Sequence, residues 1–279
     1  MSSQPEFILH DGKFLPAGSL LVSADNRCFR YGDGLFETMR LENNRIELWE
    51  LHMDRLYLGL ELLHFTTPLR DAREQLLHHI LHLVKLNQHQ YAARIRLQVF
   101  RGEGVLHDAN SSSHYVVQSY PLSKRSAIND NGLVAGVHPH IRKSCDVYSK
   151  IKSCNFLPYT QAAFHAKAQG WDECLVLNQY ERICDASVAN VFRVKNNEIF
   201  TPPLSEGPVA GVMRLHLLQQ SNKRGFIVQE ASLETHMLFD ADELFVTNAV
   251  QGIQPIHQIG EKIYGRAVTN ELLRIFSGQ

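Results

Sequence analysis

The spacing of apolar and polar positions predicts two hairpins near the amino terminus. Their strands cover residues 7–10 and 13–15 in the first hairpin and 36–41 and 46–49 in the second. Asp11-Gly12 joins the first pair, and both residue types accept the positive φ of a type I′ turn. Asn43-Asn44 joins the second pair and tolerates left-handed geometry. The chain is therefore expected to begin with antiparallel strands.

Further along, apolar residues at intervals of three and four alternate with short strand-like segments. Helices are predicted over residues 50–63, 70–86 and 156–168 and from about Val212, Ser232 and Arg266, and strands over 92–100, 115–120, 133–137, 174–177, 191–194, 198–200 and 243–247 and at Ile227. Strand pairs mixed with single helices are typical of an α+β protein rather than of a doubly wound sheet. We therefore predict an α+β fold.

A polar stretch between Pro121 and Gly132 interrupts this pattern. It is rich in Ser, Lys, Arg, Asn and Asp and has no periodicity, as expected of a connecting segment. It predicts a small N-terminal α/β domain over residues 1–121, an interdomain linker over 122–132 and a larger C-terminal domain over 133–279. A chain of 279 residues is long enough for two packed domains.

The charge balance excludes a protein that coats polyanions. The 28 basic and 29 acidic residues give a net charge of −1, so nucleic acids and anionic membranes are not expected partners. The first residues lack the basic and apolar regions of a secretion signal, and no apolar run reaches the length of a membrane span. We expect a cytoplasmic protein that acts on small molecules.

Cysteine and histidine give no metal prediction. The five cysteines form no CxxC pair, and the expected state is a reduced thiol. His78 and His82 stand four apart on a predicted helix, a spacing that can place two metal ligands on one face. No carboxylate lies between them as in a metalloprotease, and leucines are interspersed. We therefore predict no metal site.

Two segments some thirty residues apart offer a lysine and a carboxylate. The first reads Ser149-Lys150-Ile151-Lys152-Ser153-Cys154-Asn155, and the second reads Ile183-Cys184-Asp185-Ala186-Ser187. A lysine can hold an aldehyde cofactor as a Schiff base, and a carboxylate on a small-residue turn can tune the cofactor ring. Period-two geometry puts Lys150 and Lys152 on the same side of an extended segment, so periodicity leaves both as candidates.

Three further segments complete a family resemblance: Tyr31-Gly32-Asp33-Gly34-Leu35-Phe36-Glu37, His52-Met53-Asp54-Arg55-Leu56 and Gly211-Val212-Met213-Arg214. Their order and spacing resemble the class IV pyridoxal-phosphate enzymes, which include D-amino-acid and branched-chain aminotransferases and aminodeoxychorismate lyase. The resemblance runs from about residue 7 to residue 276 and implies a two-domain fold of fold type IV, bound pyridoxal 5′-phosphate and a homodimer. It selects Lys152, because the family lysine commonly precedes an asparagine by three residues, as Lys152 precedes Asn155.

The same resemblance assigns Asp185 to the nitrogen of the cofactor ring, where the family usually has glutamate. Aspartate is one methylene shorter, so it reaches the ring only if the backbone comes closer or a water intervenes. An aspartate at this point could instead cap the turn through Ala186 and Ser187. An altered or weakened activity is therefore one expectation.

The cofactor phosphate requires fixed donors. Gly211 precedes a predicted helix whose first amides, at Val212 and Met213, suit an anion. Arg55 matches the phosphate arginine of the family and offers a planar fork of donors. Further cofactor-binding candidates at matching positions are Ser187, Asn190, Asn248 and Ala249. The Asn248-Ala249 turn is similar to that of the lyase, whereas the aminotransferases usually place threonine there.

Substrate recognition departs from the family pattern. D-amino-acid aminotransferases and the lyase place an arginine a few residues after an Arg-Gly pair, but Arg101-Gly102 is followed by residues 103–107 without one. Arg30 and His107 are the candidate replacements. Tyr31 and Phe36 are expected either to line the substrate side of the pocket or to pack in the core.

Three functions are therefore weighed. The first is an aminotransferase that moves an amino group between an amino acid and a 2-oxo acid through a lysine Schiff base. The second is aminodeoxychorismate lyase, which forms 4-aminobenzoate and pyruvate. The third is a catalytically silent relative that binds a metabolite or a partner protein, suggested by Asp185 and the missing arginine.

Overall fold

The computed structural model describes residues 6–66, 73–108, 112–123 and 131–276. Its contacts divide the chain into two compact units. The first consists of Met1–Lys124 and Ile151–Phe156, and the second of Arg125–Lys150 and Leu157–Gln279. Residues 124–130 of the predicted linker lie outside the described residues, and the predicted domain boundaries stay a prediction.

The first unit is built on one antiparallel sheet. Its described strands are β1 (Phe7–His10), β2 (Lys13–Pro16), β3 (Gly34–Glu42), β4 (Arg45–Ile46), β5 (Ala92–Arg101) and β6 (Ser113–Pro121), and its described helices are α1 (Arg27–Tyr31), α2 (Trp49–Leu62) and α3 (Arg73–Leu86). The strand order is β2-β1-β6-β5-β3-β4. Leucines and isoleucines of β3, β5, α2 and α3 form the core of this unit.

The turn residues explain where the first strands begin and end. Asp11 and Gly12 have φ of 45° and 79°, which confirms the predicted hairpin between β1 and β2. The second hairpin is confirmed only in part, because β4 is two residues long and α2 already begins at Trp49. The prediction that a strand continues to residue 49 is wrong, since Leu48 has a φ of 53° and directs the chain into α2.

The second unit is built on a larger mixed sheet. Its described strands are β7 (Leu133–Lys143), β8 (Glu173–Asn178), β9 (Arg182–Ala186), β10 (Asn190–Lys195), β11 (Glu198–Thr201), β12 (Val228–Glu230), β13 (Leu233–Glu234), β14 (Glu243–Asn248), β15 (Gly252–Ile259) and β16 (Lys262–Ile263), and its described helices are α4 (Leu157–Gln169), α5 (Val212–Ser221), α6 (Met237–Asp240) and α7 (Ala267–Phe276). The strand order is β12-β11-β10-β14-β15-β7-β8-β9-β13, with β16 beside β15.

Tertiary pairing corrects three predictions in the second unit. The helix predicted from Ser232 is wrong, because Leu233 pairs with Ile183 in the sheet and only the short α6 follows. β7 extends to Lys143, well beyond the predicted end at residue 137. Asp185 lies in β9 rather than on the predicted turn. In the described part of the chain, no helix has both the length and the apolar character needed to cross a bilayer.

Candidate active site

Lys152 lies in a segment held against β3 of the first unit. Phe36 donates its backbone N–H to the Lys152 carbonyl at 3.0 Å, and Cys154 donates to the Gly34 carbonyl at 2.8 Å. The Lys152 Nζ lies 4.7 Å from the ring centroid of Phe36 and 5.1 Å from that of Phe156. The amine is therefore half-buried on two aromatic rings, whereas the rival Lys150 is exposed.

Arg55 contacts a buried carboxylate. Its Nε donates to Glu37 Oε1 at 2.8 Å, and its Nη2 donates to Glu37 Oε2. The His52 Nδ1 lies 2.6 Å from Glu37 Oε2. Glu37 is 1 % exposed, and its burial alone would raise its pKa, but Arg55 and His52 outweigh burial and lower the pKa to about 2. Glu37 is thus an anion that fixes the Arg55 guanidinium.

His52 contacts Glu37 of this ion pair and is also affected by the charge of Lys152. Burial lowers the pKa of His52, and the nearby charges of Arg55 and Lys152 lower it further, against the opposite effect of Glu37. The neutral ring donates its Nδ1–H to Glu37, so Nε2 carries a lone pair. Among the described residues this buried Nε2 has no hydrogen-bond partner. Arg55 and Lys152 therefore both lie within electrostatic range of one buried imidazole.

Arg96 is a cation that the sequence analysis did not single out. Its guanidinium lies 4.1 Å from the centroid of the Phe36 ring, the same ring that Lys152 contacts. Burial lowers the Arg96 pKa, its Nη2 donates to Gln98 at 3.2 Å, and no carboxylate among the described residues forms a salt bridge with it. The signal in the sequence is the alternation Arg94, Arg96, Gln98 within the apolar strand β5.

Asp185 in the second unit is held by donors on both carboxylate oxygens. The Asn190 amide donates to Oδ1 at 3.0 Å, and Oδ2 accepts from the Tyr159 hydroxyl at 2.8 Å and the Val209 N–H at 2.9 Å. Asp185 is 2 % exposed. These hydrogen bonds fix the orientation of the buried Asp185 carboxylate within β9.

Lys143 and Tyr159 stand behind this carboxylate, and sequence reasoning missed both. Lys143 Nζ lies 3.8 Å from Asp185 Oδ2 and donates to the Tyr159 hydroxyl oxygen. Burial first and the Asp185 charge second raise the Tyr159 pKa well above its usual range, so the phenol stays protonated and donates to Asp185. Nothing in the spacing of these three residues along the chain indicates that they meet.

The N-terminus of α5 adjoins Asn190. A Cβ on Gly211, the residue before α5, would lie only 1.8 Å from Asn190 Oδ1, so only glycine fits this close approach. Asn190 is paired across the sheet with Thr247, whose buried hydroxyl oxygen has no partner among the residues described. The first amides of α5, the Asp185 side chain and the end of β14 therefore belong to one neighbourhood of the second unit.

Two other cofactor candidates have local roles. Ser187 donates its backbone N–H to Glu173 Oε1 at 2.9 Å, and its hydroxyl donates to the same oxygen. Asn248 accepts at Oδ1 from the N–H groups of Val250, at 3.0 Å, and Gln251, at 2.8 Å. This hydrogen-bonded turn contains Ala249 and fixes the backbone after β14.

The predicted substrate residues are dispersed over the first unit. Arg30 lies over the ring of Tyr31, at 5.2 Å, and 3.4 Å from Asp25 at the surface. His107 is exposed in a turn. Of this group, Phe36 contacts Lys152.

A family model for amino-transferases of class IV matches residues 34–259. The chain belongs to this family. The class IV resemblance, the α+β fold and the pyridoxal-phosphate cofactor of the family are thereby confirmed, and the chain is placed among enzymes.

Relatives of this class IV chain differ in their reactions. It is 27 % identical over 246 residues to an aminodeoxychorismate lyase of Vibrio harveyi, covering 85 % of this chain and 87 % of the other. It is 24 % identical over 276 residues to a D-alanine aminotransferase of Bacillus licheniformis, covering 96 % and 93 %. A branched-chain aminotransferase structure from Thermoproteus uzoniensis shares the fold with a TM-score of 0.89 at 23 % identity, covering 99 % and 94 %.

The donor set of this class IV chain fits pyridoxal phosphate. The second unit offers a buried carboxylate at Asp185, a helix N-terminus whose Gly211 leaves no room for a side chain, and the Thr247 hydroxyl, which has no hydrogen-bond partner in the described part of the chain. The first unit offers an amine on aromatic rings at Lys152 and an oriented guanidinium at Arg55. An aldehyde, a protonated ring nitrogen and a phosphate need these kinds of groups.

Proposed function

We propose that the chain is an aminotransferase that moves an amino group between an amino acid and a 2-oxo acid. The observation that carries this proposal is the arrangement of Lys152 and Arg96 over the single ring of Phe36. A reactive amine and a carboxylate-binding cation beside one aromatic side chain are what a substrate with an α-carboxylate requires.

In this proposal Lys152 would hold the cofactor through its aldehyde, and the Lys152 amine would take a proton from the substrate carbon and return it elsewhere. The bound cofactor supplies the electron sink for that proton transfer. Asp185 would hold the ring nitrogen in its protonated form, and Lys143 and Tyr159 hold the Asp185 carboxylate in position. Asp185 is shorter than the glutamate usual in the family, and the hydrogen bonds that it accepts fix the position of its carboxylate.

The phosphate is assigned to Arg55 and to the amides of Val212 and Met213. Glu37 accepts from Arg55 Nε and Nη2 and holds the guanidinium in one orientation. Asn190 supports the α5 N-terminus beside Gly211. Ser187, Asn248 and Ala249 would support the cofactor site indirectly, because they fix the backbone of the turns in which they lie.

Arg96 is proposed to bind the substrate carboxylate. It takes the role for which the sequence offered Arg30 and His107, both of which are exposed. Phe36 separates the substrate from the core by presenting its ring to both Arg96 and Lys152. Tyr31 remains a candidate for the outer part of the substrate site.

Absorption spectra of the purified protein test the lysine assignment. We expect a visible cofactor band that borohydride removes, with the label recovered on Lys152. Lys150→Ala is the matched control and should keep the band, whereas Lys152→Ala should lose it. A band that persists in Lys152→Ala would discard this lysine, and a wild-type protein without any band after incubation with the cofactor would favour the catalytically silent relative.

Aminodeoxychorismate lyase is the second candidate, favoured by the Asn248-Ala249 turn. Formation of 4-aminobenzoate and pyruvate from aminodeoxychorismate without an oxo-acid acceptor would establish it and retire the aminotransferase. For the aminotransferase we expect D- or L-amino acids to change the cofactor spectrum and a 2-oxo acid to restore it. A screen of both enantiomers also identifies the substrate class.

We also propose a cytoplasmic homodimer, as the family resemblance implies. Light scattering of the eluting protein should give twice the chain mass of 31.8 kDa. A mass of one chain at micromolar concentration would reject the dimer.

A further inference from the structure

A group of metal-ligand side chains lies at the amino-terminal hairpin, in residues that the proposed reaction does not use. His10 ends β1, Asp11 begins the turn into β2, and His114 lies in β6. β1 and β6 are antiparallel neighbours, with His10 opposite Val116. One ligand atom from each of the three side chains lies within 4.8 Å of the other two.

The interatomic distances leave one ring nitrogen without a partner. Asp11 Oδ2 lies 2.6 Å from His114 Nδ1 and 3.8 Å from His10 Nε2. That His10 nitrogen is buried and makes no hydrogen bond with any described residue. A buried polar atom without a partner is costly, and a cation between the three groups would remove the deficit.

Neighbouring groups orient the cluster. The His114 Nε2 lies 2.8 Å from the Ser112 hydroxyl, and Asp11 Oδ1 accepts from the Tyr115 N–H at 2.8 Å. These contacts occupy His114 Nε2 and Asp11 Oδ1, while His114 Nδ1 and Asp11 Oδ2 share a hydrogen bond at 2.6 Å that a bound cation would replace. Hydrogen bonds of this kind to the far side of metal-binding groups fix their orientation.

We propose that His10 Nε2, Asp11 Oδ2 and His114 Nδ1 bind one divalent transition-metal ion, with Zn²⁺ as the best match. Two imidazoles and a carboxylate are a donor set of Zn²⁺, Co²⁺ and Ni²⁺, and water completes the tetrahedron. Ca²⁺ and Mg²⁺ prefer oxygen ligands. Ligands 2.0–2.1 Å from a tetrahedral ion lie roughly 3.3 Å apart, so His114 and Asp11 must separate slightly and His10 must approach.

This proposal departs from the prediction of no metal site, which rested on His78 and His82 alone. The ion would join the hairpin tip to β6, and it binds only where the three ligands are assembled. Ligand binding to the folded state alone shifts the unfolding equilibrium in its favour. At free Zn²⁺ 100 times above the Kd, the ratio of folded to unfolded chain rises about 100-fold.

Zn²⁺ titration of the untagged, full-length protein tests the proposal. Calorimetry should give one site per chain, Zn²⁺ should raise the Tm, and Co²⁺ should give the visible spectrum of a tetrahedral site. His10→Gln, His114→Gln and Asp11→Asn should each weaken Zn²⁺ binding at least about tenfold. Asparagine accepts the positive φ of Asp11, so that variant keeps the turn. Ser112→Ala should weaken binding by about tenfold through orientation alone.

His78→Gln is the matched control. It removes one histidine of the exposed pair His78 and His82 on α3 and leaves the proposed metal ligands intact. It should bind Zn²⁺ like the wild-type chain. Loss of binding in His78→Gln with full binding in His114→Gln would overturn the proposal, as would a wild-type chain that binds no Zn²⁺ at millimolar concentration. Circular dichroism of each variant without metal separates loss of the site from loss of the fold.

Discussion

The Tyr159 hydroxyl connects two buried charged side chains, Lys143 and Asp185. It accepts from Lys143 and donates to Asp185 at 2.8 Å. A buried ammonium and a buried carboxylate at 3.8 Å stabilise each other only if the remaining donors and acceptors are satisfied. The phenol is therefore a positioning residue for the proposed ring-nitrogen partner.

Tyr159→Phe should reduce the free energy of unfolding by about 1–3 kcal/mol, because Lys143 and Asp185 each lose a hydrogen bond in a buried site. It should also weaken cofactor binding. Urea unfolding of the cofactor-free protein and titration with pyridoxal phosphate measure the two effects. Tyr148→Phe, at an exposed tyrosine of the same unit, should change stability by less than about 0.5 kcal/mol. Equal stability of the two variants would show that the phenol bears no structural role.

Arg96→Gln should raise the KM of the amino-acid substrate by about 10- to 100-fold, the effect of losing a hydrogen-bonded charge partner. Cofactor affinity should stay unchanged. The matched control is Arg94→Gln, since Arg94 lies two residues away on the same side of β5 and over the ring of Tyr120. An unchanged KM in Arg96→Gln would return the carboxylate role to Arg30 or His107.

At the level of single residues, the sequence identified some of the candidate site residues but not the side chains that contact them. Lys152 and Arg55 could be chosen because short family-like segments surround them. Glu37 and His52 lay inside those segments but carried no mark of burial, and their importance comes from an ion pair that only the packing of α2 on β3 creates. Lys143 and Tyr159 lie just outside the lysine segment 149–155, and their contact with Asp185 depends on tertiary packing that no local pattern shows.

Among the elements, α5 depends on the close approach of the preceding residue, Gly211, to β10. Gly211 has a φ of −64°, which any residue can adopt, so the requirement for glycine comes from space and not from backbone freedom. A Cβ would collide with the Asn190 side chain. Asn190 in turn donates to Asp185 and to the Val209 carbonyl.

Gly211→Ala should therefore displace Asn190, reduce stability by about 1–3 kcal/mol through overpacking and weaken the affinity for pyridoxal phosphate. Thermal unfolding and cofactor titration are the measurements. Gly18→Ala is the control, because a Cβ there meets nothing within 4 Å among the described residues. If Gly211→Ala binds the cofactor as tightly as Gly18→Ala, the α5 N-terminus is not part of the phosphate site.

Local patterns predicted elements where the local signal and the tertiary contacts agree. The β1–β2 hairpin has its Asp-Gly turn, and α2 has its apolar stripe of Met53, Leu56 and Leu60, all buried. β9 has no distinctive turn chemistry, and β13 is only two residues long. β9 pairs with β8 and with β13, and β13 depends on the pairing of Leu233 with Ile183, so neither strand could be found from its own residues.

For the whole molecule, the residues assigned to the proposed reaction are divided between the two units. Lys152, Arg55 and Arg96 belong to the first unit, whereas Asp185 and α5 belong to the second. The segment Ile151–Phe156 belongs to the first unit, although the residues before and after it in the chain belong to the second. Composition and the lack of periodicity predicted one break near residues 121–132. They could not predict that residues 151–156 pack on the first unit, because this segment is short and Ser153 pairs with Leu35 of β3 only in the folded chain.

The acid stability of the whole chain should depend on Glu37. Its pKa is lowered from an ordinary value of 4.5 to about 2, so the folded state holds the proton more weakly than the unfolded state. The resulting stabilisation is complete above about pH 4.5 and is lost as the pH falls toward 2. A pKa shift of this size corresponds to about 3 kcal/mol in the free energy of unfolding.

Urea unfolding between pH 5 and pH 3 measures this dependence. The free energy of unfolding should fall more steeply for the wild-type chain than for Glu37→Gln, which cannot titrate and leaves Arg55 and His52 without their anion. Glu181→Gln is the control: Arg142 lowers the Glu181 pKa, but this carboxylate is exposed, so solvent screens the pair and its removal should leave the wild-type slope. A Glu37→Gln chain with the wild-type slope would mean that the buried ion pair does not govern acid stability.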